Sequence, residues 1–477
     1  MKNLLWPRDR SGLSGSSEWF TTPHRTSSLL GMSQITASAL PPGPRLPKWI
    51  QMIVFLRYWP RFVAACRRRY GKVFTIRAAM TPTMVYLADP AEIKKVFAGD
   101  PSVFHAGEAN AILGGLLGDS SVLVIDDDMH RDFRRLMLPP FHRDAVAQQV
   151  AQMTEIAAAN IDGWPVGQPF AVGPKASEIT LEVILRTVIG ASDPSRLAAL
   201  RAVMPKLLNV NQWASFAIAW PQLQQRRPWR SLLERIQEAD RLLYAEIAER
   251  RADPHLDERT DALAMLVRST DEDGRTLSDR ELRDQLMTLL VAGHDTTATA
   301  LSWALERLTR HPAILERAVK AADDGDDEYL DAVAKETLRI RPVVPDVGRV
   351  LKAPVELAGY QLPAGVMVVP AIGLVHSDSE LYPDAERFDP DRMVGATLSP
   401  TTWFPFGGGN RRCLGATFAM VEMRIVLREI LRRVELSTTT APGETQRVKH
   451  VIFVPRNGGR ISVRARRPAP VVTQPAG

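Results

Sequence analysis

The chain has 477 residues, 45% of them hydrophobic and 24% charged, with a formal charge of +6 and a pI near 9.4. That length can bury a large core, and no Lys/Arg run is long enough to argue for nucleic acid; the mild positive balance points instead to a docking face for an acidic partner. Two cysteines far apart, Cys66 and Cys413, argue against a disulfide framework and fit a reducing cytoplasm.

Residues 1–40 are rich in Ser, Thr, Arg, Gly and Pro with little periodicity, and are expected as a disordered extension. They lack the apolar stretch of a secretory signal, and Met32 is a candidate true start. Pro41 to Pro47 is a stiff lead-in. The apolar run Trp49 to Leu56 is too short to span a bilayer and is expected as a core helix rather than one lying on a membrane surface. Arg67 to Arg69 form its solvated end, and Cys66 is structural. Val73–Ile76 and Met84–Leu87 predict a hairpin around Thr81-Pro-Thr83. Gly114-Gly-Leu-Leu-Gly118 has no Gly-Lys-Ser/Thr after it, so it reads as a mobile loop rather than a phosphate cradle. Asp126 to Asp128 open a helix that Pro139-Pro140 close, and His130 and Arg134, four apart, share one face of it.

Residues 145–269 are helical in pattern, with breaks at Trp164–Pro169 and Gln212–Trp229. Trp213, Phe216 and Trp220 are expected to pack in the core or a lid. Ser278 to Glu281 form a capping box. The helix it starts runs to Arg310, about 50 Å, with Leu282, Leu286, Leu290, Leu301, Leu305 and Leu308 on its buried face. Its middle, Ala292-Gly-His-Asp-Thr-Thr297, is poor in helix formers, and such a lapse inside a strong element often marks function. Asp323 to Glu328 have the wrong spacing for a calcium loop and read as a solvated turn before the next helix. Near that helix's end, Glu336 and Arg339 lie one turn apart on one face. Short strands follow near Val355–Leu357 and Val366–Val369, and His376 reads as a structural histidine. Cys413 then sits between three glycines with two arginines and the start of a helix ending near Arg433. Close backbone, positive charge and a helix N-terminus favour a thiolate able to bind a metal. Ile452-Phe453 and Ile461–Val463 predict a terminal hairpin about Asn457-Gly458, and the tail from about 466 is expected to be disordered.

Phe406-x-x-Gly409-x-Arg411-x-Cys413-x-Gly415 resembles the haem-binding loop of the cytochrome P450 family. Gly293-x-Asp295-Thr296 is similar to that family's acid–alcohol motif, and Glu336-x-x-Arg339 to its buried ion pair. The resemblance, spanning residues 41–465 as one haem domain, implies a mainly α fold with small β-sheets around a long central helix. It implies haem b with Cys413 as axial thiolate ligand, and Phe406, Gly409 and Gly415 shaping the loop. His130, Arg134, Arg349 and Arg411 are implied to meet the haem propionates, and Gly293 to make room beside the iron. Thr296 is implied to hold the bound oxygen and its water, and Asp295 to feed protons inward. Arg387 is implied to complete a structural triad with Glu336 and Arg339. His294 falls at a variable position of the motif and is not expected to bind metal. Val343, Val344 and Val347 match the family's substrate-facing strand.

The implied activity is a cytoplasmic monooxygenase that inserts one atom of O2 into an apolar molecule such as a fatty acid, terpene or steroid. Once the haem domain is placed, no flavin or nicotinamide domain remains, so a ferredoxin and its NAD(P)H-dependent reductase are expected to supply electrons. Arg134, Arg135, Arg411, Arg412 and Arg428 are candidates for that dock. Rival classes are a haem-thiolate peroxygenase, isomerase or gas sensor, a non-catalytic haem-binding module, and a cysteine-nucleophile hydrolase. The hydrolase has no histidine placed by any motif, and the acid–alcohol pair argues for oxygen chemistry.

Overall fold

The computed structural model describes residues 40–191, 193–208, 229–270 and 274–468. The N-terminal extension with Met32, the aromatics Trp213, Phe216 and Trp220, and the tail beyond residue 468 lie outside the described residues.

The long helix organises the rest. It runs unbroken from Asp279 to Leu308, 30 residues or about 45 Å. The capping box forms as expected: the Ser278 hydroxyl accepts the Glu281 N–H, and the Glu281 carboxylate accepts the Ser278 N–H at 2.8 Å. All six predicted leucines are fully buried. Helices Val172–Val183, Arg230–Arg251, Asp327–Ile340 and Ala416–Arg433 pack around it. A five-stranded sheet lies apart from these helices, in the order Val73–Ile76, Met84–Leu87, Met367–Pro370, Arg349–Leu351, Phe104–His105. Its first pair is the predicted antiparallel hairpin, and Met84–Leu87 runs parallel to Met367–Pro370.

Four expectations are corrected. Gly114–Leu117 is a helical turn with Leu116 and Leu117 buried, not a loose loop. The central helix pins it and the residues after it: Arg283 donates to Leu117 O at 3.0 Å, and Gln285 accepts the Val122 N–H at 3.0 Å. The terminal hairpin does not form between the predicted strands. Ile452–Pro455 pairs with Gln446–Lys449, and Arg460–Arg466 pairs with Pro169–Ala171 and Val434–Leu436. The Asn457-Gly458 turn is held from outside, because the Glu444 carboxylate accepts N–H groups from Asn457 and Arg460.

The first helix, Lys48–Tyr70, is a core helix only in its second half. It leaves helical geometry at Tyr58, two residues before Pro60. Val63 and Cys66 are buried, whereas Trp49 and Ile53 are 63% and 65% exposed. At the break, Trp59 Nε1 and the Tyr86 hydroxyl donate to Asp346 Oδ2 at 3.0 and 3.3 Å. Although part of its surface stays accessible, burial raises the Asp346 pKa to about 7 against the pull of those two donors. The folded chain therefore keeps this proton longer than the unfolded chain, whose Asp pKa is about 3.9. Its contribution is fully present below about pH 4 and is lost as pH rises to about 7. Asp346→Asn, which can still accept both bonds, should flatten that part of the stability profile; an unchanged slope in urea melts at pH 5 and pH 8 would refute this.

The fourth correction concerns the structural triad. Glu336 and Arg339 pair as expected, bidentate at 2.7 and 2.8 Å and completely buried. The third guanidinium is that of Arg392, 3.2 Å from Glu336 Oε1, and not that of Arg387. The Arg387 side chain is 69% exposed and only its carbonyl takes part, accepting from Arg339 at 3.2 Å. The short turn Pro390–Met393 carries Arg392 inward, where it also donates to Pro383 O. Arg392→Ala should cost about 1 kcal/mol, because it removes a cation from a buried carboxylate that keeps its hydrogen bonds from Arg339 and the Asp389 N–H. Arg387→Ala should stay within about 0.5 kcal/mol. Equal losses in denaturant unfolding would return the role to Arg387.

Candidate active site

Cys413 is set by a chain of backbone contacts. Trp403 Nε1 donates to Lys335 O at 3.2 Å, and the Phe404 N–H donates to His376 Nε2 at 3.1 Å. The His376 ring thus has the structural task expected of it. The Cys413 N–H donates to Phe406 O at 2.9 Å, closing the loop, and the Phe406 ring meets Trp403 edge-on at 6.2 Å. Gly409 has φ of +66°, and a Cβ there would lie 2.2 Å from Phe97 O, so no other residue fits without moving the backbone. Gly415 caps the helix Ala416–Arg433, and its N–H donates to the Cys413 sulfur.

Burial pushes the Cys413 thiol up, opposed by the Gly415 N–H and by Arg134 and Arg412. Cys413 exposes surface although protein encloses it, so it faces an internal space. Ala292 is likewise exposed, at the middle of the central helix.

Four nitrogenous side chains gather beside this space. Burial and the nearby Arg411, Arg134 and Arg349 lower the His130 pKa to about 3, so His130 is a neutral donor. Arg349 is 5% exposed and its guanidinium donates to its neighbour's carbonyl, Gly348 O. Burial and Arg411 bring its pKa down to about 10. Arg411 is held by Ile125 O at 2.7 Å and by Asp126, and burial lowers its pKa to about 10 as well. Arg134 donates to Arg412 O at 2.7 Å. Three guanidiniums against the carboxylates of Asp126 and Asp127 leave a net positive cluster, which suits an anionic ligand. The proposed dock for an acidic partner is correspondingly thinned: Arg411 is turned inward, and Arg428 is paired with Asp327.

On the central helix, the Thr296 hydroxyl donates to Ala292 O at 2.7 Å, and Thr297 donates to Gly293 O at 3.1 Å. Gly293 has a packing reason, since a Cβ there would come 2.7 Å from Ile184 Cδ1. His294 is buried with Nδ1 2.6 Å from Leu290 O. Asp295 is held by Lys449 Nζ, at 3.0 and 2.8 Å from its two oxygens.

Two residues escaped the sequence reading. Lys449 gave no signal, because its strand reaches Asp295 only through the tertiary fold. Glu422 is completely buried with neither carboxyl oxygen hydrogen-bonded, and burial pushes its carboxyl well up. It falls four residues after Phe418 on the buried face of its helix, and that spacing could have found it.

A thiol facing an internal space, a cationic cluster beside it and a central helix with an unusual polar middle together fit a haem carrying two carboxylates. The chain belongs to the cytochrome P450 family, whose pattern it matches over residues 41–462. It is accordingly a monooxygenase, an oxidoreductase whose haem is held by a cysteine thiolate. It is 72% identical over 449 residues to the Mycobacterium tuberculosis protein named "Putative cytochrome P450 135B1", covering 93% of this chain and 95% of that one. It is 38% identical to "Putative cytochrome P450 135A1" of the same organism, over 90% and 96% of the two chains. Among solved structures, a retinoic acid-bound cyanobacterial CYP120A1 superposes with a TM-score of 0.76 at 24% identity, over 89% of this chain and 99% of the other. At that identity the likeness speaks for the fold alone. No helix among the described residues is long and apolar enough to cross a membrane.

Proposed function

We propose that residues 41–465 form a haem b domain that inserts one atom of O2 into an apolar small molecule, with Cys413 as the axial ligand. The observation that carries this reading is the cluster His130, Arg134, Arg349 and Arg411 beside Cys413, each near enough to disturb the charge of another. The three arginines would neutralise the two propionates, and neutral His130 would donate to one of them. The haem, when bound, supplies the oxygen-activating redox chemistry, and a thiolate ligand favours O–O cleavage.

The remaining steps fall to the chain. The Gly415 N–H steadies the sulfur. Thr296 presents a hydroxyl that can exchange its bond to Ala292 O for one to a water. Asp295 is paired with Lys449, whose side chain is 19% exposed, so the pair suits proton entry from solvent. Val343, Val344 and Val347 would face the substrate. Electrons would come from a ferredoxin and its NAD(P)H-dependent reductase, in a reducing compartment such as the cytoplasm.

The test is the absorption spectrum of the reduced, CO-bound protein. The thiolate-type band is expected, and Cys413→His should replace it with an imidazole-type band. A thiolate-type spectrum that survives Cys413→His would remove the assignment. A compound panel read by haem spectral shifts should favour apolar molecules; shifts only with charged or sugar-like compounds would overturn that part.

A further inference from the structure

The first half of the helix Lys48–Tyr70 uses only one of its faces within the described fold. Ahead of the break at Tyr58, its one fully buried residue is Gln51, whose side chain donates to Pro44 O and Leu46 O and accepts the Arg77 N–H. Met52 and Phe55 lean on the sheet side. The opposite face is also apolar: Trp49, Ile50, Ile53 and Leu56 are exposed, with Leu46 just before them. Met80 joins them, since the Ala79 N–H donates to Lys48 O at 3.2 Å. Large exposed hydrophobic residues are otherwise scattered, and seven of the thirteen among the described residues fall between Leu46 and Met80. A helix meeting water should be polar on its outer face. A concentrated apolar patch marks a surface that something covers.

Its charge says what covers it. From residue 40 to residue 88 the chain has nine Lys and Arg and no Asp or Glu. Arg67 and Lys72 are occupied by Asp378 and Glu380. Arg45, Lys48, Arg57 and Arg61 are exposed and have no ion-pair partner among the described residues. An apolar helix face rimmed by cations, with Trp49 at one end and Tyr58 at the other, matches the boundary between anionic headgroups and acyl chains. The half-helix Lys48–Arg57 is about 15 Å long, half of what a bilayer core requires, so it would lie in the surface and not cross it.

We infer that the Lys48–Arg57 face docks on an anionic lipid surface. The docked helix is tied to the catalytic side, because Trp59 donates to Asp346, three residues before Arg349. An apolar substrate dissolved in that lipid would meet the protein at this face.

The test uses the full-length holoprotein carrying Ile53→Cys, labelled with a polarity-sensitive fluorophore. Cys66 is buried, and a labelled Ile53 control without the new cysteine reports any reaction at Cys413. Adding phosphatidylglycerol vesicles should shift the emission to the blue. Phosphatidylcholine vesicles, or the double reversal Lys48→Glu with Arg57→Glu, should bind roughly tenfold or more weakly. Unlabelled Ile53→Glu should keep its melting temperature and lose co-sedimentation with vesicles. The inference fails if no shift occurs, or if both vesicle types act equally. Blue emission before any vesicle is added would also sink it, since the face would then be covered by the chain's own residues 1–39 or by a second copy. None of these readouts depends on turnover, so they stand apart from the test of the proposed reaction.

Discussion

Glu336→Ala is expected to yield a chain that takes up no haem. The Glu336 carboxylate serves three partners at once: Arg339 in a two-bonded pair, Arg392 at 3.2 Å and the Asp389 N–H at 3.0 Å. Removing it leaves two guanidiniums near each other in a dry site. Breaking a buried pair from one side costs roughly 3–5 kcal/mol, a large part of the roughly 5–15 kcal/mol that holds a folded domain together. The damage is also directed. Arg339 donates to His376 O at 2.7 Å, His376 Nε2 accepts from Phe404, and Phe406 O accepts from Cys413. Loss of Glu336 frees the first link of a path that ends at the sulfur. Haem per polypeptide, measured after expression with ample haem precursor, should fall close to zero. A Glu336→Ala protein with full haem content and an unchanged melting temperature would contradict this account, and Arg387→Ala is the control that should behave as the parent does.

Thr296→Ala is expected to leave haem and substrate binding intact while diverting reducing equivalents to peroxide. The hydroxyl donates to Ala292 O within its own helix, so its loss opens no cavity and breaks no tertiary bond. The change falls on proton delivery alone. Positioned proton donors contribute about 10²–10⁴-fold in rate. Product per NAD(P)H consumed should drop by at least tenfold on that basis, with peroxide rising to match. On the proposed relay, Asp295→Asn should slow turnover instead, because the carboxylate held by Lys449 would recharge the path. Unchanged coupling in Thr296→Ala would remove the hydroxyl from the relay.

Much of this was legible because it is local. Leu282 to Leu308 repeat at helical spacing, and a helix that buries such a face has few ways to lie. The place of Gly409 before Cys413 reflects a loop whose backbone must approach Phe97 closely, and glycine is the residue that permits it. Glu336 and Arg339 sit one turn apart on one helix, so their pairing needs no knowledge of the rest.

What failed was long-range or depended on facing. Arg387 and Arg392 lie in one irregular stretch, where no period says which side chain turns inward. Ile452–Pro455 and Arg460–Arg466 have the composition of partners, yet each finds a better strand elsewhere. The apolar run at Trp49 carries the pattern of a core, and only its position at the edge of the sheet leaves it uncovered.

By itself, then, the order of residues determined the long helix, the loop around Cys413 and the Glu336–Arg339 pair, since each is decided within a few turns of chain. Only the tertiary structure decided that Arg392 answers Glu336, that Lys449 holds Asp295 and that three arginines and a neutral histidine share one site. Those contacts join residues far apart in the chain, 278 positions for Arg134 and Arg412, and what brings them together is the burial of apolar faces elsewhere.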